Sequence, residues 1–71
     1  MVDISVIGKN LKEIRDERNE TQEEFAEHCD LSVETVSNIE RGAVVPRLET
    51  LNKISAYIGK SVEYLYRDKN N

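Results

Sequence analysis

The stretch from Thr21 to Gly42, TQEEFAEHCDLSVETVSNIERG, limits what this chain can fold into more than any other. Thr21 and Glu24 have the spacing of a capping box, in which the threonine oxygen takes the third amide and the glutamate reaches back. A helix is therefore expected from there to about Cys29, with Phe25, Ala26 and Cys29 turned inward. The next three residues, DLS, break it: Asp30 tolerates turn geometry and Ser32 is a good N-cap. A second short helix follows over about Val33 to Arg41, with Val36 and Ile39 inward and Gly42 closing it. Helices joined by only three residues cannot lie antiparallel, so they must cross steeply. The small Ala26 lets them approach, and Leu31 is placed to plug the corner.

The rest of the chain is also helical. Ile7, Leu11 and Ile14 mark one face of a helix over about Ser5 to Arg18, and Asn19 can take the left-handed conformation that ends it. AVVP is a loop. A fourth helix follows Pro46, with Leu48, Leu51, Ile54 and Ile58 on one face and Gly59 at its end. Ser61 caps a short fifth helix, SVEYLYR, and residues 68–71 are a polar tail. No period-2 strand pattern, internal repeat or low-complexity segment interrupts this order. The expectation is an all-α, five-helix single domain over residues 1–71.

Composition narrows the function classes. With 38% apolar and 34% charged residues the chain suits a folded globular domain rather than a disordered one. No apolar run approaches the ~20 residues needed to span a bilayer, and no basic-then-apolar leader opens the chain. One cysteine and one histidine make neither an internal disulfide nor a zinc set. A cytoplasmic location without cofactor, metal, membrane partner or small-molecule effector is expected. Net charge is −4, unevenly spread: residues 1–20 carry −1, residues 21–46 carry −5 and residues 47–71 carry +2.

Thr21 to Gly42 has the helix-turn-helix arrangement, in which the second helix stands out from the body. The spacing alone equally admits an ordinary helical corner of a small bundle. The joint order of TQEEFA, the hydrophobic-Ser turn, VSNIERG, the Pro-containing loop and LETLNKIS goes further. Over about residues 6–66 it resembles the phage repressor/Cro-like helix-turn-helix family, also called the XRE family. The resemblance implies a five-helix, lambda-repressor-like domain that binds operator DNA, usually as a two-fold dimer. Restriction–modification controller proteins are regulators of the same kind.

Residue by residue, the resemblance implies that Gln22 touches a phosphate and orients the reading helix. Ser32 matches a backbone-contacting position. Val33, Glu34 and Asn38 match base-contacting positions, flanked by Thr35 and Ser37. Arg15 and Glu40 match a buried salt bridge between the first and third helices. Asp30 departs from the pattern, because glycine is frequent there. Val33 and Glu34 depart too, standing where polar or basic residues are common.

Chemistry agrees that such a helix can read DNA without positive charge. Asn38 can pair bidentately with adenine, Glu34 can accept from cytosine N4, and Val33 and the Thr35 methyl suit a thymine methyl. Affinity must then come from phosphate contacts at Thr21, Gln22, Ser32, Arg41 and Arg47, with Lys9 or Lys12 adding to them. So few contacts imply dimeric binding to a palindromic operator. Val62, Tyr64, Leu65 and Tyr66, crowded into five positions, suggest the homodimer surface. Exposed acids such as Glu23, Glu24 and Glu27 offer a route to RNA polymerase.

Catalysis has little support. His28 and Cys29 are adjacent, so their side chains diverge and cannot form a nucleophile–base pair. There is no glycine-rich phosphate loop. Two functions compete: a sequence-specific transcription regulator, or a protein-interaction module (an antitoxin or partner-binding domain) that kept the fold and lost DNA affinity. The acidic middle third motivates the second.

Overall fold

The computed structural model describes residues 4–68, which form five helices: α1 (Ile4–Glu17), α2 (Gln22–His28), α3 (Val33–Glu40), α4 (Leu48–Ile58) and α5 (Val62–Leu65). Most of the tail expected at 68–71 lies outside the described residues. One cluster buries Ile7, Leu11, Ile14, Phe25, Ala26, Cys29, Val36, Ile39, Leu51, Ile54 and Leu65. These are the inward rows set by the i, i+3, i+4 spacing of each helix.

The ends of the first three helices share one device. In each, the second residue past the last helical position is left-handed and two amides close back on the final turn. At α1, Asn19 has φ 55° while Asn19 N–H and Glu20 N–H donate to the carbonyls of Asp16 and Arg15. At α2, Asp30 has φ 59°, and Asp30 and Leu31 donate to Glu27 and Ala26 at 3.1 and 2.8 Å. At α3, Gly42 has φ 69°, and Gly42 and Ala43 donate to Ile39 and Asn38 at 3.0 and 2.9 Å. A left-handed aspartate costs more than a glycine. Lys53 of α4 offsets this by donating to the Asp30 carbonyl at 3.1 Å, with its carboxylate at 3.6 Å. Leu31, led out of that turn, packs against the core.

Two expectations fail. Leu48 is 66% exposed rather than inward. It is the first residue of α4, and the buried row of that helix begins one turn later, at Leu51. Leu65 was expected on a dimer surface but is fully buried in its own core, where no second copy can reach it. The four-residue α5 can do this because α1 receives it. Asn10, itself buried, donates from Nδ2 to the carbonyls of Leu65 at 2.8 Å and Arg67 at 2.7 Å. The last carbonyl of α5 and that of Arg67 just past it thus gain a partner that the short helix cannot supply.

Candidate nucleic-acid interface

The outward helix α3 is built from its caps. Ser32 accepts the Thr35 amide at 3.1 Å, and its hydroxyl lies 2.8 Å from that of Thr35. Val36 and Ile39 are fully buried, so the opposite side of the helix must face out. There Val33 is 43% exposed and Glu34 is exposed, while Thr35, Ser37 and Asn38 are half-buried.

The acidity of α3 divides into two unlike parts. Glu34 stands in solvent, whereas Glu40 is only 6% exposed and points into the body. Arg15 grips it in a fork, Nε to Oε2 at 2.8 Å and Nη2 to Oε1 at 3.1 Å. Gln22 Nε2 adds a third bond to Oε1 at 3.0 Å. The remaining arm of Arg15 donates to the Glu20 carbonyl at 2.9 Å. Hydrogen bonding to Glu40 raises the Arg15 guanidinium further above its ordinary value, against the opposing effect of burial. One carboxylate therefore joins α1, the start of α2 and the end of α3. Charge-assisted bidentate pairs of this kind fix geometry as well as add energy.

The residues expected at phosphates lie at helix ends. Thr21 and Glu24 complete the capping box at 3.1 and 2.8 Å. Gln22 opens α2 with one amide proton committed to Glu40. Arg41 is the C-cap of α3 and Arg47 the N-cap of α4; both side chains are exposed. Arg47 and Thr35 line one open groove of about 300 Å³ beneath the loop that carries Val44 and Val45. Val62 and Tyr64 of α5 and its C-cap Tyr66 are half-buried against the core, with the Arg67 guanidinium 3.8 Å over the Tyr64 ring.

Three features escaped the sequence reading. Gly8 is the point where α1 meets α3: a Cβ there would stand 2.5 Å from the Ile39 carbonyl oxygen and 2.8 Å from that of Glu40. Asn10 is the second. The third surrounds Glu20, whose carboxylate accepts from Tyr57 Oη at 2.6 Å and Arg18 Nε at 2.8 Å and lies 2.6 Å from His28 Nδ1. Burial pushes the Glu20 carboxyl up, but the bonds from Tyr57, His28 and Arg18 outweigh it and hold the carboxyl below its ordinary value. His28 Nδ1 also lies 2.9 Å from Tyr57 Oη, so this exposed side chain links α2 to α4. Cys29 is a core residue whose thiol is pushed up to about 11 by burial, which keeps it protonated and inert at neutral pH. Among the described residues, no His/Cys/Asp/Glu group could hold a metal ion and no helix is long and apolar enough to cross a membrane.

Five helices, a capped four-residue turn between α2 and α3 and a helix presented on its polar side define a helix-turn-helix protein. The chain belongs to the Helix-turn-helix family HTH_3, of the XRE type, whose model matches residues 11–65. It is 39% identical over 59 residues to the HTH-type transcriptional regulator ImmR of Bacillus subtilis (strain 168), covering 83% of this chain and 46% of that protein. It is 38% identical over 56 residues to the immunity repressor protein of Bacillus phage phi105, covering 79% of this chain and 39% of that one. The chain thus spans less than half the length of these two relatives. Against the control protein C.MunI of Mycoplasma sp, 39% identity over 70 residues covers 96% of this chain and 95% of the relative. In structure it is similar to the hypothetical transcription factor NHTF from Neisseria, with TM-score 0.87, 26% identity, and 96% and 78% of the two chains covered. The LexA repressor from Eubacterium rectale shares the fold, with TM-score 0.86 at 22% identity over 94% of this chain and 71% of that one.

Proposed function

We propose that this protein is a non-enzymatic, cytoplasmic, sequence-specific transcription regulator that binds a palindromic operator as a homodimer, with α3 in the major groove. The observation that supports it most is the engagement of Glu40 by Arg15 and Gln22. It removes one of the two charges that made α3 look unfit for DNA. Glu34 is then the only carboxylate on the exposed side of α3, where it can accept from cytosine and penalise wrong sequence. Thr35, Ser37 and Asn38 supply uncharged donors and acceptors beside it, and Val33 supplies apolar contact.

The positioning contacts fall to helix ends. Thr21, Gln22 and Ser32 open α2 and α3, where free amides and the dipole favour phosphate. Arg41 and Arg47 bracket the following loop. Selection from randomised duplexes tests this reading. The expected product is an inverted repeat with half-sites about one helical turn (~34 Å) apart. Asn38→Ala should then cost ~1–3 kcal/mol on that site and relax one base position. Failure to enrich any sequence at low salt would overturn the proposal and favour the partner-binding reading.

The dimer surface is proposed on α5 and the end of α4, now without Leu65. Val62, Tyr64 and Tyr66 still offer half-buried apolar area there. Sedimentation of Tyr64→Asp should show monomer where the parent shows dimer. An unchanged dimer would move the surface elsewhere.

A further inference from the structure

We propose that Arg41 sets the base preference of Asn38 by holding its side-chain amide with the donors outward, so that Asn38 reads guanine rather than adenine. This rests on the DNA-reading role of α3 proposed above. Arg41 Nη2 donates to Asn38 Oδ1. A guanidinium carries donors only, so the amide atom facing it must be the oxygen, and the amide orientation is chemically assigned. Arg41 is tied by its backbone into the end of α3. It is the C-cap of α3, and the turn that follows is closed by Ala43 N–H on the carbonyl of Asn38 itself, at 2.9 Å.

The consequence follows from the base edges. Bidentate reading of adenine needs an acceptor for N6–H and a donor for N7; guanine presents two acceptors, N7 and O6. With a cation on Oδ1, the groups that Asn38 turns away from Arg41 are the two N–H donors of Nδ2. The second lone pair of Oδ1 is weakened as an acceptor by the cation already bound to the oxygen. A donor pair suits guanine and meets the N6 amino group of adenine donor to donor. Glu34 strengthens the assignment. Glu34, Asn38 and Arg41 stand at i, i+4 and i+7, one row of the helix surface. An exposed carboxylate one helical turn from Asn38 complements cytosine N4 beside guanine O6. The row therefore matches the edge of a G·C pair.

The test is selection from randomised duplexes by the full chain and by Arg41→Met, Asn38→Ala and the double variant. The parent is expected to select guanine at one half-site position whose preference Asn38→Ala abolishes. Arg41→Met should shift that same position toward adenine or relax it, on the order of tenfold. In the Asn38→Ala background it should change no base preference. Adenine at that position in the parent would overturn the inference. So would a position left intact by Asn38→Ala, or uniform weakening by Arg41→Met with the consensus unchanged, which is the signature of a phosphate contact alone. Those outcomes leave the DNA-binding reading standing. A parent that selects no sequence overturns that reading, and the inference with it.

Discussion

Replacing Arg15 by methionine is expected to destabilise the fold by ~3–5 kcal/mol, because it strands a carboxylate that is almost wholly buried. Arg15 and Glu40 are 13% and 6% exposed and share two bonds. Removing the cation leaves Glu40 with Gln22 alone. Stability of ~0.05–0.15 kcal/mol per residue gives a 71-residue domain ~4–11 kcal/mol in all, so this loss takes about a third of it or more. The variant should therefore unfold at a much lower urea concentration, with a melting transition lowered by well over ~10 °C. Far-UV circular dichroism through a urea titration measures this.

Two comparisons identify the cause. Lys12→Met removes another basic group of α1, but its pair with Asp16 is exposed on both sides and should be worth under ~1 kcal/mol. The double change Arg15→Met with Glu40→Leu should recover most of the loss, since a well-packed apolar pair can replace a buried ionic one. Equal losses for Arg15→Met and Lys12→Met, or no recovery in the double variant, would show that Glu40 is not confined as described.

The contrast between Lys12 and Arg15 also shows what sequence can and cannot reveal. Helix limits were legible because their signals are local. Thr21 with Glu24, Ser32, Ser61, Asn19, Gly42 and Gly59 each act within a few residues of where they stand. The core rows were legible because helical periodicity gathers Ile7, Leu11 and Ile14, or Leu51 and Ile54, on one face. Leu48 continues the same period and was misplaced, since periodicity gives a direction but not where the neighbouring helix stops. Leu65 was misassigned for a related reason. Whether a four-residue helix can bury its leucine depends on a cradle formed by Asn10, 55 positions earlier in the chain.

The candidate interface was legible as far as its motif reached. Arg15, Glu40 and the outward residues of α3 came from pattern. The orientation of the Asn38 amide did not, because it is set by a side-chain rotamer that no spacing encodes. The cluster of Glu20, His28, Tyr57 and Arg18 was invisible too: it joins three segments, and each residue alone reads as an ordinary surface group.

Gly8 is the sharpest such case, and its replacement by alanine should destabilise the protein by ~1–3 kcal/mol or more. Gly-to-Ala in the middle of a helix ordinarily stabilises by ~0.5–1 kcal/mol, so the expected sign is reversed. The new methyl would meet the Ile39 and Glu40 carbonyl oxygens at 2.5 and 2.8 Å and the Glu40 carbonyl carbon at 3.1 Å. All three are backbone atoms, so no rotamer change relieves the clash. Either α1 withdraws from α3, opening the core around Ile7 and Ile39, or the last turn of α3 shifts. The second response would tilt α3 at its C-terminal end, so variant protein that still folds should also bind operator DNA less tightly. Gly59→Ala is the control: it faces open space, and its cost should come only from a left-handed φ of 71°. It should leave DNA affinity unchanged. Urea denaturation and titration against the selected operator separate the two glycines. A Gly8→Ala variant as stable as the parent would mean that α1 and α3 do not meet backbone to backbone, and that the tie between Arg15 and Glu40 holds α3 in place without it.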